Sequence, residues 1–204
     1  MNFTLDHYKK TLEEYLTENY DFQTVNNITK STKKIYMVHD VDHKIEFSKK
    51  FSEIEKSLGI KSTYFLRLHA QNYNMLSYSS IKVAEEILKN GHEIGLHYEP
   101  GFSKTSNHSE NIVFDMDLLS RAVSSEVNTF NIHEPARTGV DLGRILEKNN
   151  RCYNSAFFEN FKYISDSGCR WREGCFSEHI NRWDQLLVLT HPFWWYYETP
   201  SENY

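Results

Sequence analysis

His39-Asp40-Val41-Asp42-His43 follows directly on Lys34-Ile35-Tyr36-Met37-Val38. Four of those five residues ionise, and they sit at the end of an apolar run of strand length. The same junction recurs along the chain. Ser62-Thr63-Tyr64-Phe65-Leu66-Arg67-Leu68 runs into His69, and Glu93-Ile94-Gly95-Leu96 into His97. Asn128-Thr129-Phe130-Asn131-Ile132 runs into His133, and Phe161-Lys162-Tyr163-Ile164-Ser165 into Asp166. Leu186-Leu187-Val188-Leu189-Thr190 runs into His191. If these runs are parallel strands, their C-terminal ends lie on one face, where α/β folds place their chemistry.

The segments between the runs have helical spacing. Leu5, Tyr8, Leu12, Tyr15 and Leu16 mark a helix over about 5–19, and Phe47, Phe51, Ile54 and Leu58 a second that Gly59 stops. Ser79 or Ser80 can cap a third carrying Ile81, Ala84, Ile87 and Leu88. Ile112, Val113, Met116, Leu119 and Val123 predict a fourth over about 109–125. A short helix near 140–149 and a strand over Cys152–Phe158 complete the alternation. Strand and helix in turn predict an α/β fold of about seven mostly parallel strands, open or closed into an irregular barrel. The 204 residues fit one domain, 1–204, with 1–30 as an N-terminal helical extension.

Composition excludes several classes of function. The net charge of −5, with no long basic run, argues against nucleic acid as a partner. No stretch is apolar enough over its length to span a bilayer, and the N-terminus has no apolar signal core. Cys152, Cys169 and Cys175 are an odd number without metal-finger spacing, which suggests a reducing compartment. A cytoplasmic protein is therefore expected. There is no GxGxxG, no Walker lysine loop and no serine in a nucleophile elbow.

The residue types that remain are those of metal-assisted hydrolysis. Asp40 and Asp42 point the same way on extended backbone, so one can bind a metal while the other acts as base. The bland alternative is a polar turn in which Asp42 caps the next helix. His92 and His97 are five apart and face opposite sides of a strand, so they do not share one metal. His97, at the strand end, is the better ligand, with Glu99 in reach, whereas His92 reads as a residue that begins the strand. His133-Glu134-Pro135 and His191-Pro192 each carry a proline that stiffens the strand exit. His191 is the proton donor by position, beside the aromatic run Phe193-Trp194-Trp195-Tyr196-Tyr197. Asp166 can orient a catalytic histidine. Arg170 or Arg172 can bind an anionic part of a substrate, or simply pair with Asp166 on a surface loop.

This set resembles the polysaccharide deacetylase superfamily with its NodB-homology fold, over about residues 34–197. It is most similar to the WbmS-type branch of O-antigen and capsule clusters. The resemblance implies an irregular (β/α) barrel that removes acetyl groups from N-acetylated sugars with a divalent metal, usually zinc. His39-Asp40-Val41-Asp42 resembles the first family motif, which implies Asp40 as base and Asp42 as metal ligand. Gly91 through His97 resembles the second, whose metal histidine falls on His97. Asn131 through Pro135 occupies the third motif. Asp166 through Trp171 resembles the fourth, which implies an acid-orienting Asp166 and a pocket-lining Trp171. Leu189-Thr190-His191 matches the fifth, whose histidine is the acid. Two departures stand out: the second metal histidine is replaced by Gly101, and the third motif's arginine by His133.

The expected protein is thus a cytoplasmic, metal-dependent deacetylase-like hydrolase. Its substrate is an N-acylated sugar or sugar nucleotide in surface-polysaccharide assembly. Asp42, His97 and His133 hold the metal, with His69 and Glu99 as rivals for the third place. Asp40, His191 and Asp166 do the proton chemistry, and Trp171, Arg170 and Trp194 bind the substrate. The alternatives are a catalytically degenerate glycan or sugar-nucleotide binding module and another metal-dependent C–N or ester hydrolase.

Overall fold

Short polar side chains, Thr4, Ser77 and Asn107, set the starts of three helices. Thr4 Oγ1 accepts the His7 N–H at 3.2 Å and opens α1 (Leu5–Thr17). Ser77 Oγ accepts the Ser80 N–H at 3.2 Å and opens α3 (Tyr78–Lys89). The cap is therefore Ser77 rather than Ser79 or Ser80, because only Ser77 has extended backbone there. α2 (Phe47–Ser57) begins after Glu46, so Asp42 caps nothing. α4 (His108–Val123) starts at Asn107 and stops where Ser124 turns left-handed, at φ 52°.

A computed structural model describes residues 2–29, 31–101, 107–138 and 161–204. The expected helix near 140–149 and strand over 152–158 lie outside the described residues. Among the described residues seven strands form one sheet: β1 (Asp21–Gln23), β2 (Lys34–Val41), β3 (Thr63–Leu66), β4 (Glu93–Tyr98), β5 (Phe130–Ile132), β6 (Lys162–Ser165) and β7 (Gln185–Thr190). Their order is β5-β4-β3-β2-β7-β6, with β1 also on β2, and every described pairing is parallel. The sheet curls into a half-barrel with helices, the architecture of a NodB-like (β/α) barrel. β1 was not anticipated, since three residues are too short for a period to register.

Both faces of the sheet are buried, and strand alternation decides what each face carries. Ile35, Met37, Val41, Tyr64, Leu66, Ile94, Leu96, Ile164, Leu186 and Val188 join α1–α4 in the larger core. Tyr36, Val38, Phe65, Leu187 and Leu189 form a second cluster on the opposite face. His39 therefore points to the helices, whereas Asp40 points away from them. His39 Nε2 lies 2.8 Å from Glu55 Oε1 of α2, and its Nδ1 lies 2.7 Å from Thr190 Oγ1 of β7. Glu55 also accepts from the hydroxyls of Tyr8 and Tyr64 at 2.6 Å and from Ser62 at 2.8 Å. His92 joins this network through Ser62, 3.0 Å away, and Ser52 O, 3.1 Å away. It is thus a structural histidine on the face opposite His97.

Five partners offset the desolvation of Glu55. Burial alone would raise its pKa, but His39, His92 and Tyr64 hold it down at about 2. Glu55→Ala is expected to cost about 3–5 kcal/mol by urea unfolding at neutral pH, the scale for breaking a buried ion pair. The native pKa lies below the ordinary value of 4.5, so this contribution is complete above about pH 4.5 and fades as pH falls toward 2. The wild-type advantage over the variant should shrink across that window. Gly95 in β4 marks a close approach: a Cβ there would lie 2.5 Å from Phe65 Cδ1 and 2.8 Å from Thr129 Oγ1. Gly95→Ala should cost about 1–3 kcal/mol in the same assay.

Candidate active site

The face away from the helices collects the ionisable strand ends. β2 delivers Asp40 and, one residue past its end, Asp42. β3 delivers Arg67, β4 His97, β5 Asn131 and His133, and β7 His191. On β2, β3 and β7 they share the parity of the second apolar cluster, and on β4 and β5 they alternate with residues of the larger core, which is why they meet. They line a cavity of about 780 Å³, with Trp194, Tyr163 and Arg172 at its walls.

Asp42 is the hub. Its Oδ1 lies 3.1 Å from His97 Nε2 and 3.5 Å from His133 Nε2, and its Oδ2 lies 3.6 Å from His191 Nε2. Oδ1 is buried and makes no hydrogen bond of good geometry. Burial alone would raise this carboxyl's pKa, but the imidazoles of His97, His191 and His133 hold it well below the carboxylate range. Asp42, His97 and His133 each offer one ligand atom, all within 4.8 Å of one another. An unsatisfied carboxylate oxygen facing two imidazole nitrogens is a donor set that suits a divalent transition metal. The residues present therefore fit such an ion.

The rivals for the third place have other partners. Glu99 Oε1 takes His133 Nδ1 at 3.1 Å, and its Oε2 pairs with Arg67 Nη2. Glu99 thus orients His133, turning the Nε2 of that ring toward Asp42. His69 pairs with Asp115 of α4, 3.3 Å away, outside the cavity. Arg67 Nη1 stands 3.7 Å from Asp42 Oδ1.

Asp40 lies beside His97, with its Oδ2 3.7 Å from His97 Nε2. Its Oδ1 accepts from Asn131 Nδ2 at 2.6 Å. His191 is held at Nδ1 by Asp166 Oδ1 at 2.6 Å, and its backbone N–H donates to Asp166 Oδ2 at 3.1 Å. Trp195 Nε1 donates to the same Oδ2 at 2.9 Å, so both oxygens of the fully buried Asp166 have partners. Burial opposes charge on His191, but Asp166, with Asp40 and Asp42, raises its pKa to about 9. Its ring is a cation near neutrality with Nε2 turned to the cavity, the state a general acid needs.

Asp40, Asp42, His97, His133, His191 and Asp166 therefore converge, and Trp194 lines the cavity. Trp171 does not reach it. Its indole is buried in the aromatic core, stacked on Phe3 at 6.2 Å and edge-on to Trp195 at 6.3 Å. Packing a large ring among rings wins over presenting it to solvent. Arg170 is exposed outside the cavity, and Arg172 lines it instead. Arg170 N–H bonds back to Asp166 O at 3.2 Å, a turn that carries the loop away before Arg172 returns. Arg67, Asn131 and Trp195 were missed. Only Asn131 left a usable sign: it stands two residues before His133 and so shares its face.

No protein-family model matches the sequence, and no curated protein is recognisably similar to it. Solved structures do match. One is a CE4 family pseudoenzyme from Bacillus anthracis, at 17% identity and a TM-score of 0.54 over 80% of this chain and 56% of that one. A mutant of that protein, with restored enzymatic activity, matches equally well. A mutant of the peptidoglycan deacetylase PdaC from Bacillus subtilis matches at 11% identity and a TM-score of 0.55, over 81% and 77% of the two chains. PdaA from Bacillus subtilis, a family 4 carbohydrate esterase, matches at 14% and 0.53, over 90% and 76%. The chain thus spans little more than half the length of the pseudoenzyme and about three quarters of the other two. At these identities the likeness is one of fold: this chain has the fold of the family 4 carbohydrate esterases.

Proposed function

We propose that this chain is a metal-dependent carbohydrate deacetylase-like hydrolase that removes an acyl group from an N-acylated sugar or sugar nucleotide. The observation that carries the reading is the convergence on Asp42. Asp42 forms an Asp-His-His donor set with His97 and His133, and the carboxylate of Asp40 and the carboxylate-held imidazole of His191 stand beside it, on a fold shared with carbohydrate esterases. Asp42, His97 and His133 are the metal ligands in this proposal, and zinc is the ion that best suits two imidazoles and a carboxylate. Bound there, the ion would polarise the acyl carbonyl and acidify a water molecule.

The chain's own residues do the rest. Asp40 takes the proton of the attacking water at Oδ2, the carboxylate oxygen that Asn131 leaves open. The hydroxyl adds to the acyl carbon. His191 donates from Nε2 to the amine nitrogen as the C–N bond breaks, and the products are a carboxylate and a free amine. Asp166 holds the His191 ring in place and stabilises its charge. Trp194 and Tyr163 wall the cavity and suit a sugar ring, and Arg172 suits an anionic group on it. We further propose a role in surface-polysaccharide assembly in the cytoplasm. Cysteine usage supports the compartment: among the described residues Cys169 and Cys175 are both free. Among the described residues no helix is long and apolar enough to cross a membrane.

A second reading is a glycan-binding module without turnover. Gly101 at the second histidine position and the pseudoenzyme among the matched structures favour it.

Asp40→Asn and His191→Ala should each lower acetate release from N-acetylated sugars by at least ~100-fold, the scale of general acid–base catalysis. Near-normal rates in both variants would remove the mechanism. Elemental analysis should find about one transition-metal ion per chain, and chelation should abolish turnover until metal is restored. Sugar binding that ignores chelators, with no acetate released, would establish the binding module instead.

A further inference from the structure

We propose that Asn131 is a positioning residue whose one carboxamide sets both the metal-binding nitrogen of His97 and the orientation of Asp40. The proposal rests on the metal-hydrolase reading above, but its geometry stands on its own. The β4–β5 register pairs Asn131 directly with His97, and alternation puts both side chains on the cavity face. Asn131 Oδ1 lies 2.5 Å from His97 Nδ1, and Asn131 Nδ2 lies 2.6 Å from Asp40 Oδ1. Asn131 is buried, so water offers its amide no ready substitute for either partner.

Donor and acceptor chemistry then leaves one arrangement. An ionised Asp40 can only accept, so the NH₂ end of the amide must face it. The carbonyl end must face His97 Nδ1, and that nitrogen must carry a hydrogen. In the neutral imidazole the other nitrogen is then bare. His97 Nε2 is the atom 3.1 Å from the unsatisfied Asp42 Oδ1. Two lone pairs facing each other at that distance repel unless a cation lies between them. The same amide occupies Oδ1 of Asp40 and leaves Oδ2 to take a proton.

No other neutral side chain of this size donates at one end and accepts at the other in this way. A leucine at 131 does neither. An aspartate accepts from His97 but has nothing to donate to Asp40. His133 is held differently, by the carboxylate of Glu99 at its Nδ1. The two metal histidines thus have unlike partners, and only that of His97 also touches the base.

Three measurements test the proposal. Long-range ¹H–¹⁵N spectra of the metal-free wild-type protein, at alkaline pH where the ring is neutral, should show His97 protonated at Nδ1. An Nε2–H tautomer would overturn the proposal. Zn²⁺ affinity, read by competition with a chromophoric chelator, should fall about 10–100-fold in Asn131→Leu, the scale of an outer-shell histidine partner. Unchanged affinity in a folded Asn131→Leu would also overturn it. Asn131→Asp should keep Zn²⁺ affinity at or above the wild-type value while its turnover falls at least ~10-fold. A purely structural role would not separate those two quantities, so their parallel loss counts against positioning. If the wild-type protein binds no Zn²⁺ at all, the hydrolase reading fails, and the tautomer spectrum still decides the role of Asn131.

Discussion

A buried carboxylate oxygen with no hydrogen bond is an expensive thing to fold around, and Asp42 Oδ1 is one. The surroundings are organised to tolerate it. Three imidazoles and a guanidinium stand within 4 Å of the carboxylate. Each is itself fixed from behind by a side chain on another element. His133 and Arg67 lean on Glu99, His97 leans on Asn131, and His191 leans on Asp166. The ring nitrogens are thereby held in few rotamers around one carboxylate. That is the arrangement expected where a cation is to be bound and released without rebuilding the fold.

The same strands carry a second polar cluster on their other face. His39 and Asp40 are neighbours in sequence, as are Thr190 and His191. In each pair the first residue turns toward the helices and the second toward the cavity. Beneath the site, His39 joins Glu55 of α2 to Thr190 of β7. Fully buried, this network cross-links helix and sheet just where the strands end. Its cost in desolvation is offset because Glu55 has a partner for each lone pair. Polar chemistry above the sheet and polar structure below it are thus built from alternate residues of the same segments.

How much of this was legible without coordinates follows from the same alternation. The strand ends were readable because apolar runs stop at ionisable residues, and the opposite facing of His92 and His97 needed only a period of two. Asp40, Asp42, His97, His133, His191 and Asp166 came from such local patterns. What was not legible depended on register and on loop paths. That Asn131 lies beside His97, or that Arg67 reaches Glu99, requires knowing which strands pair and with what offset. Trp171 and Arg170 were misplaced for a related reason. Both sit on a loop whose course is set by the Trp171–Phe3–Trp195 packing, and no spacing rule reveals which residue of such a loop turns inward. Ser77, rather than its neighbours, caps α3 because of backbone geometry that all three serines leave open in sequence.

The β2–β7 register has one further consequence. His39 pairs with Thr190, so Asp40 and His191 leave adjacent parallel strands side by side. Their spacing is inherited from the sheet, where neighbouring strands lie about 4.8 Å apart, and the His39–Thr190 bond pins it from below. The separation of the Asp40 and His191 backbones is therefore a property of the sheet rather than of a loop. A ligand of another shape cannot be met by widening that gap. Any change in what this cavity admits has to come from its walls, where Trp194 and Arg172 stand on segments outside the strands.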